Sequence, residues 1–157
     1  MNTDEQTKLS ASQALTATDL STNVYDLGAI IAMSNGEPMA VEVVIETAAD
    51  QGTGDEDYTF AVEFASDAAI TTDRQEVGRR IYESGTPTAP AQNADLLLAG
   101  YKVVIPIPNA SLDEVNRYVA VRYTLAGTTP SVTVSAFIKP MRSIEGYTTY
   151  ASGYTVN

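Results

Sequence analysis

Short runs of alternating apolar and polar residues, each bounded by turn chemistry, recur through most of this chain and dictate a β-rich fold. Tyr58 to Ala65 is the clearest. Tyr58, Phe60, Val62 and Phe64 fall on one face, and Thr59, Ala61 and Glu63 on the other. Arg117 to Leu125 repeats the pattern, with Val119, Val121 and Tyr123 opposite Tyr118, Ala120 and Arg122. Ser131 to Ile138 puts Val132, Val134, Ala136 and Ile138 on one side. Met39 to Glu46 and Tyr101 to Ile107 are Val- and Ile-rich strands, the second closed by Pro106 and Pro108, which end its pairing. Val24 to Ile31 is a further candidate, stopped by the Ser34-Asn35-Gly36 turn. No strong amphipathic helix competes, and there is no repeat of roughly 20–50 residues that would signal a solenoid or propeller. Seven or eight short strands with regular turns predict an all-β antiparallel β-sandwich or jelly roll.

The chain's 157 residues make a single domain, 1–157, large enough to bury about two-thirds of its unfolded surface without metal or disulfide. Its expected parts are an N-terminal arm (1–12), a sandwich (13–139) and a Tyr-rich C-terminal tail (140–157). Within the sandwich, 71–100 reads as an irregular insert. Thr71 to Ser84, which holds Arg79, Arg80 and Tyr82, suits a short helix or an irregular connection, and the GTPTAPAQN stretch after it suits extended loop. Asn109 to Asn116 reads as a connection. No apolar run approaches the ~20 residues of a membrane span, and the acidic, polar first ten residues are unlike a secretory or transit signal.

Histidine and cysteine are both absent. That removes the commonest general base, the Ser-His-Asp arrangement, thiolate chemistry and most zinc sites. No nucleophile elbow, P-loop or dinucleotide fingerprint occurs. Glu42, Glu46 and Glu63 could pair for glycosidase chemistry, but they occupy alternate, solvent-facing strand positions, the ordinary place for Glu in an antiparallel sheet. The expectation is therefore no enzyme and no cofactor. The loop Asp50 to Asp57 concentrates four carboxylates around two glycines, so Asp50, Asp55 and Asp57 are candidate calcium ligands. The spacing is not that of an EF-hand, since Ala61 stands where the bidentate Glu belongs, and a solvated hairpin tip explains the same residues.

The net charge of −11 is uneven. Residues 1–70 carry thirteen acids and one base, Lys8, while 71–157 carry seven acids and eight bases. Phosphate binding needs clustered Lys and Arg, so neither nucleic acid nor anionic membrane is expected as a partner. A solvated acidic surface, or an acidic half facing water while the neutral half meets a partner, both fit. Tyr147, Tyr150 and Tyr154 stand in a tail with few other apolar groups, which either docks on a neighbouring subunit or lies on its own domain. Arg117, at a strand end, and Arg122, on the face opposite Val119, are further interface candidates.

Ser12 to Gly28, SQALTATDLSTNVYDLG, is a Thr- and Ser-rich run closing in an Asp-Leu-Gly turn. It resembles the opening of the Bbp16-like family of tailed-phage capsid cement (decoration) proteins. Further patches resemble that family in the same order: Gly36-Glu37-Pro38, Val62-Glu63-Phe64 followed by Ser66-Asp67, Pro106-Ile107-Pro108, then Arg117 to Tyr123 and Gly127. Together they span most of residues 10–138. The 71–100 stretch and the tail after Ile138 depart from the family pattern.

The resemblance implies a jelly-roll-like sandwich that forms a homotrimer on the outer surface of an icosahedral head in the virion. There it would bridge major capsid protein subunits near three-fold axes, reaching neighbours with arms. Three rival functions remain beside it, one of them a carboxylate-based hydrolase. A virion-displayed carbohydrate-binding sandwich would need an exposed aromatic platform, for which Tyr82 and Tyr101 are the candidates. A head-tail or tail component would share the fold class and differ in its place on the particle.

Overall fold

The computed structural model describes residues 7–28, 37–108 and 117–144. Among these residues ten strands form: β1 (Lys8–Leu15), β2 (Asp19–Leu20), β3 (Tyr25–Asp26), β4 (Met39–Thr47), β5 (Asp57–Ala65), β6 (Gln75–Glu83), β7 (Gln92–Asn93), β8 (Lys102–Ile107), β9 (Tyr118–Ala126) and β10 (Val132–Pro140). One sheet has the order β1-β10-β4-β8. The other runs β2-β9-β5-β6-β7, with β3 also beside β9. The antiparallel pairs are nested along the chain: β5 with β6, β4 with β8, β2 with β9 and β1 with β10. A long hairpin folded over so that its pairs fall alternately into two sheets is the jelly-roll arrangement, and the expected all-β sandwich is what forms. No helix among the described residues is long and apolar enough to cross a membrane.

Alternation decides which side chains enter the core. Val41, Val43 and Ile45 of β4, Val103, Ile105 and Ile107 of β8, and Val134, Ala136 and Ile138 of β10 face inward from the first sheet. Tyr58, Phe60, Val62 and Phe64 of β5 and Val119, Val121 and Tyr123 of β9 meet them from the second. Phe60 lies edge-on to Tyr82 and Tyr123, with ring centroids 5.9 and 6.0 Å apart, a favoured geometry for aromatic quadrupoles. The buried phenols are satisfied: Tyr123 Oη shares a 2.8 Å hydrogen bond with Ser10 Oγ, and Tyr58 Oη donates to the Asp50 carbonyl at 2.5 Å.

Four expectations change. The stretch 71–100 is not an irregular insert throughout, because Gln75–Glu83 is the nine-residue strand β6, paired with β5 from Asp57 to Phe64. Its inward positions carry Gly78 and Arg80 where an apolar residue would announce a strand, which is why alternation is faint there. Gly78 has a packing reason: a Cβ would lie 3.0 Å from Ile105 Cγ2 and 3.3 Å from the Pro106 carbonyl, where β6 of one sheet meets β8 of the other.

Residues 8–12 of the expected arm 1–12 are folded chain, since strand β1 starts at Lys8 and buries Leu9, while 1–6 lie outside the described residues. Register shifts around Ser10 and a positive φ of 45° at Ser12 interrupt its alternation. Pro106 does not end the pairing of β8 but sits opposite Ala40 on this edge strand, where a missing N–H is harmless. The tail expected from Pro140 begins as folded chain: Pro140 belongs to β10, and Met141–Ser143 form one 3-10 turn that buries Ile144 against Ala40 and Val104. Of the candidate strand Val24 to Ile31, Tyr25–Asp26 pairs with β9. Its end, the Ser34–Gly36 turn and the connection 109–116 lie outside the described residues.

Candidate interaction surface

The acidic loop is organised by its own backbone. Asp55 accepts from Thr53 Oγ1 at 2.7 Å, Thr128 N at 3.0 Å and Thr128 Oγ1 at 2.9 Å. Buried Glu56 accepts from Thr53 N at 3.0 Å and Gly54 N at 2.9 Å, and Asp50 from Gly52 N at 3.0 Å. Thr53 and Thr128 hold the Asp55 carboxyl below its ordinary value, and Thr53 does the same for Glu56. Asp57 is shifted upward, by burial first and then by the charges of Glu83 and Asp55. Asp55 thus staples this tip to the 127–128 turn, and Glu56 and Asp50 brace the loop itself. Among the described residues no three metal-binding side chains converge.

Each outer sheet face holds one buried carboxylate. Glu42 and Glu63 were expected at solvent-facing positions. They do point away from the core, but long cationic neighbours and covering chain bury them. Lys139 Nζ donates to Glu42 at 2.5 Å, with Lys102 Nζ at 4.0 Å. Arg122 Nε donates to Glu63 at 2.8 Å, with Arg74 at 3.8 Å. Glu46 stays exposed, hydrogen-bonded to Ser135. Arg117 grips Asp26 with two hydrogen bonds, Nε at 2.6 Å and Nη2 at 2.7 Å, and stands 5.2 Å from the Tyr118 ring. That fork lowers the Asp26 carboxyl from its ordinary range. Both candidate interface arginines therefore serve intramolecular pairs. Tyr147, Tyr150 and Tyr154 lie outside the described residues.

The seam between β6 and β8 carries something else. A cleft of about 320 Å³ opens there, lined by Arg79, Arg80, Tyr82 and Gln92 on one side and Tyr101 and Lys102 on the other, with no carboxylate among its lining residues. Tyr82 does not form the exposed platform a sugar would need. It is 2% exposed and stands edge-on to Tyr101 at 6.2 Å. Arg79 and Arg80 are the chain's only adjacent basic residues, and that pairing in an acidic sequence was the signal to follow.

Residues 9–138 match the sequence profile of the Bbp16 family. The chain belongs to the Bbp16 family. A search of curated proteins returns no match. The Bbp16 match starts inside β1 and ends inside β10, so it covers the jelly roll, and the whole cleft falls within it.

Three of the sequence runs that carry the resemblance to the Bbp16-like family, the opening run, the Val-Glu-Phe run and Arg117 to Tyr123, touch one another in space. Asp26 of the opening run grips Arg117, and Glu63 of the Val-Glu-Phe run meets Arg122. Leu20 and Val24 pack over Ala65 and Ala120. They form one framework on the outer face of the second sheet.

Proposed function

We propose that this Bbp16 protein is a structural cement protein. It acts as a homotrimer on the outside of a tailed-phage icosahedral head, bridging major capsid subunits near three-fold axes. The observation that carries this reading is that contact: three of the runs through which the chain resembles capsid cement proteins meet on one framework of a jelly roll. Such a role needs no reacting group. It needs a rigid body whose many copies engage one lattice together, so that modest individual contacts add up. A protein that binds the assembled shell and not its separated parts shifts the equilibrium toward the shell.

The test is to add the purified protein to matching undecorated heads and image them by electron microscopy. Density near the three-fold positions is expected, together with a trimer mass in analytical ultracentrifugation. A chain ending at Ile144 probes the tail without disturbing Met141–Ile144, which belong to the folded body. Bare shells after mixing with full-length protein would overturn the reading.

A further inference from the structure

We propose that the seam between β6 and β8 is a docking groove for an extended, acidic polypeptide segment of a partner protein, which adds a strand to the open edge of β6. In the second sheet β7 pairs only with Tyr82 and Glu83. Among the described residues, 76–81 have no strand neighbour on that side. Six residues of edge offer roughly 20 Å of unpaired backbone at ~3.4 Å each. Four consecutive residues of this strand, Arg79 to Tyr82, line the cleft, so its wall is the strand edge itself and not one side-chain face. Tyr101 and Lys102 form the opposite wall.

The charge selects the occupant. Four cations elsewhere are taken at close range, Lys139 by Glu42 at 2.5 Å, Arg117 by Asp26 at 2.6 Å, Arg142 by Glu37 at 2.6 Å and Arg122 by Glu63 at 2.8 Å, and Arg74 adds to the buried Glu63 at 3.8 Å. In the groove Arg79 Nε reaches, among the described residues, only exposed Glu76, at 3.7 Å. The Arg80 guanidinium, half-buried, donates to the Arg79 carbonyl at 3.3 Å and meets no carboxylate among the described residues. Successive side chains of a strand laid on this edge fall on opposite faces, so acidic residues at its alternate positions stand beside half-buried Arg80 and complete it. If the protein cements capsids, the segment belongs to a capsid subunit, and that last step rests on the function proposed above.

The groove can be read without a capsid. The probes are a fluorescent alternating Glu-Val octapeptide, its Lys-Val counterpart and the Glu-Val peptide with alternate amides N-methylated, each titrated by anisotropy into the full chain. The Glu-Val peptide is expected to bind, and Arg80→Glu to weaken it about tenfold or more. Arg80→Gln, the milder change, is expected to weaken it less, with both variants melting near the parent temperature. N-methylation is expected to cost about tenfold by blocking the strand ladder. No binding, equal binding of the Lys-Val peptide, or indifference to Arg80→Glu would overturn the groove. Indifference to N-methylation, with displacement by inorganic phosphate, would replace it with a small-anion site. Displacement by a peptide of residues 145–157 would give the groove to this chain's own tail and overturn a partner segment.

Added to heads, Arg80→Glu is expected to lose occupancy. Equal decoration by Arg80→Glu and the parent removes the groove from the capsid contact and leaves the cement role standing. Failure of the parent itself to decorate heads overturns that role while the peptide titration still decides the groove.

Discussion

The outer faces of the two sheets have the same difficulty, an apolar patch beside a buried carboxylate, and they meet it with different backbone. On the first sheet Ile144, 0% exposed, covers Ala40 and Val104 from the end of β10. Its backbone is relaxed and extended, with φ −88° and ψ 123°, and Met141 N donates to the Pro38 carbonyl at 2.8 Å to hold the turn. On the second sheet Ile70, 1% exposed, covers Ala65 and Ala120 from an internal loop. Its φ is +54°, a left-handed conformation that a β-branched residue adopts at a cost. A segment continuing from a strand end can approach at any angle. A loop whose two ends are fixed at β5 and β6 must bend sharply to put its plug down, and strain is the result.

The largest expected effect tests that contrast directly. Ile144→Gly removes a fully buried side chain and adds backbone freedom, so a loss of about 4 kcal/mol is expected in urea denaturation. Ile70→Gly removes the same atoms but releases the left-handed penalty of roughly 1–2 kcal/mol, so it is expected to cost about 2 kcal/mol. Equal losses would show that the Ile70 backbone is not strained and would break the comparison.

The carboxylates come next. Lys139→Met leaves Glu42 buried with only Lys102 nearby, at 4.0 Å, and is expected to cost about 3 kcal/mol. Arg122→Met on the other face is expected to cost about 2 kcal/mol, because Arg122 is 24% exposed against 15% for Lys139 and water screens more of that pair. Replacing both partners, Glu42→Leu with Lys139→Met, is expected to recover most of the single-variant loss, since the uncompensated charge goes with them. A double variant as unstable as Lys139→Met alone would mean that packing, and not charge, sets the cost.

These faces were largely hidden from the sequence, for identifiable reasons. Period-two alternation exposes strands whose inward positions are all apolar, so β4, β5, β8, β9 and β10 could be read directly. It is silent on β6, where Gly78 and Arg80 stand inward, and on β1, where the irregularity around Ser12 separates Leu9 from Leu15. Ile70 and Ile144 lie outside any strand, so no periodicity marks them. The pairs Glu42–Lys139 and Glu63–Arg122 join residues 97 and 59 positions apart, and only sheet order brings them together. Arg79 and Arg80 were visible as a charge pair, but the opposite wall of their cleft depends on which edge strands meet.

The smallest expected effect sharpens the contrast through pH. Asp67 holds the Ile70 loop: its Oδ1 accepts from Thr71 N at 2.9 Å and Thr72 N at 2.7 Å, and its Oδ2 from Thr71 Oγ1 at 2.8 Å. The Thr72 and Thr71 amides together lower its carboxyl to about 2. A carboxyl whose folded value is depressed contributes stability that is fully present above its unfolded value, near 3.9, and lost as pH falls through the folded one. The loop over the second sheet is therefore expected to loosen between about pH 4 and pH 2. The backbone contact that seats Ile144, from Met141 N to the Pro38 carbonyl, has no proton to gain, and the Arg142–Glu37 pair beside it is solvent-exposed, so its loss in acid is expected to weigh little. Limited pepsin digestion over that range should open 66–74 before 140–144. Asp67→Asn should open the loop already at pH 4 and flatten the dependence. Simultaneous opening of both segments in the parent would mean that acid acts on the whole sandwich and not on this one carboxylate.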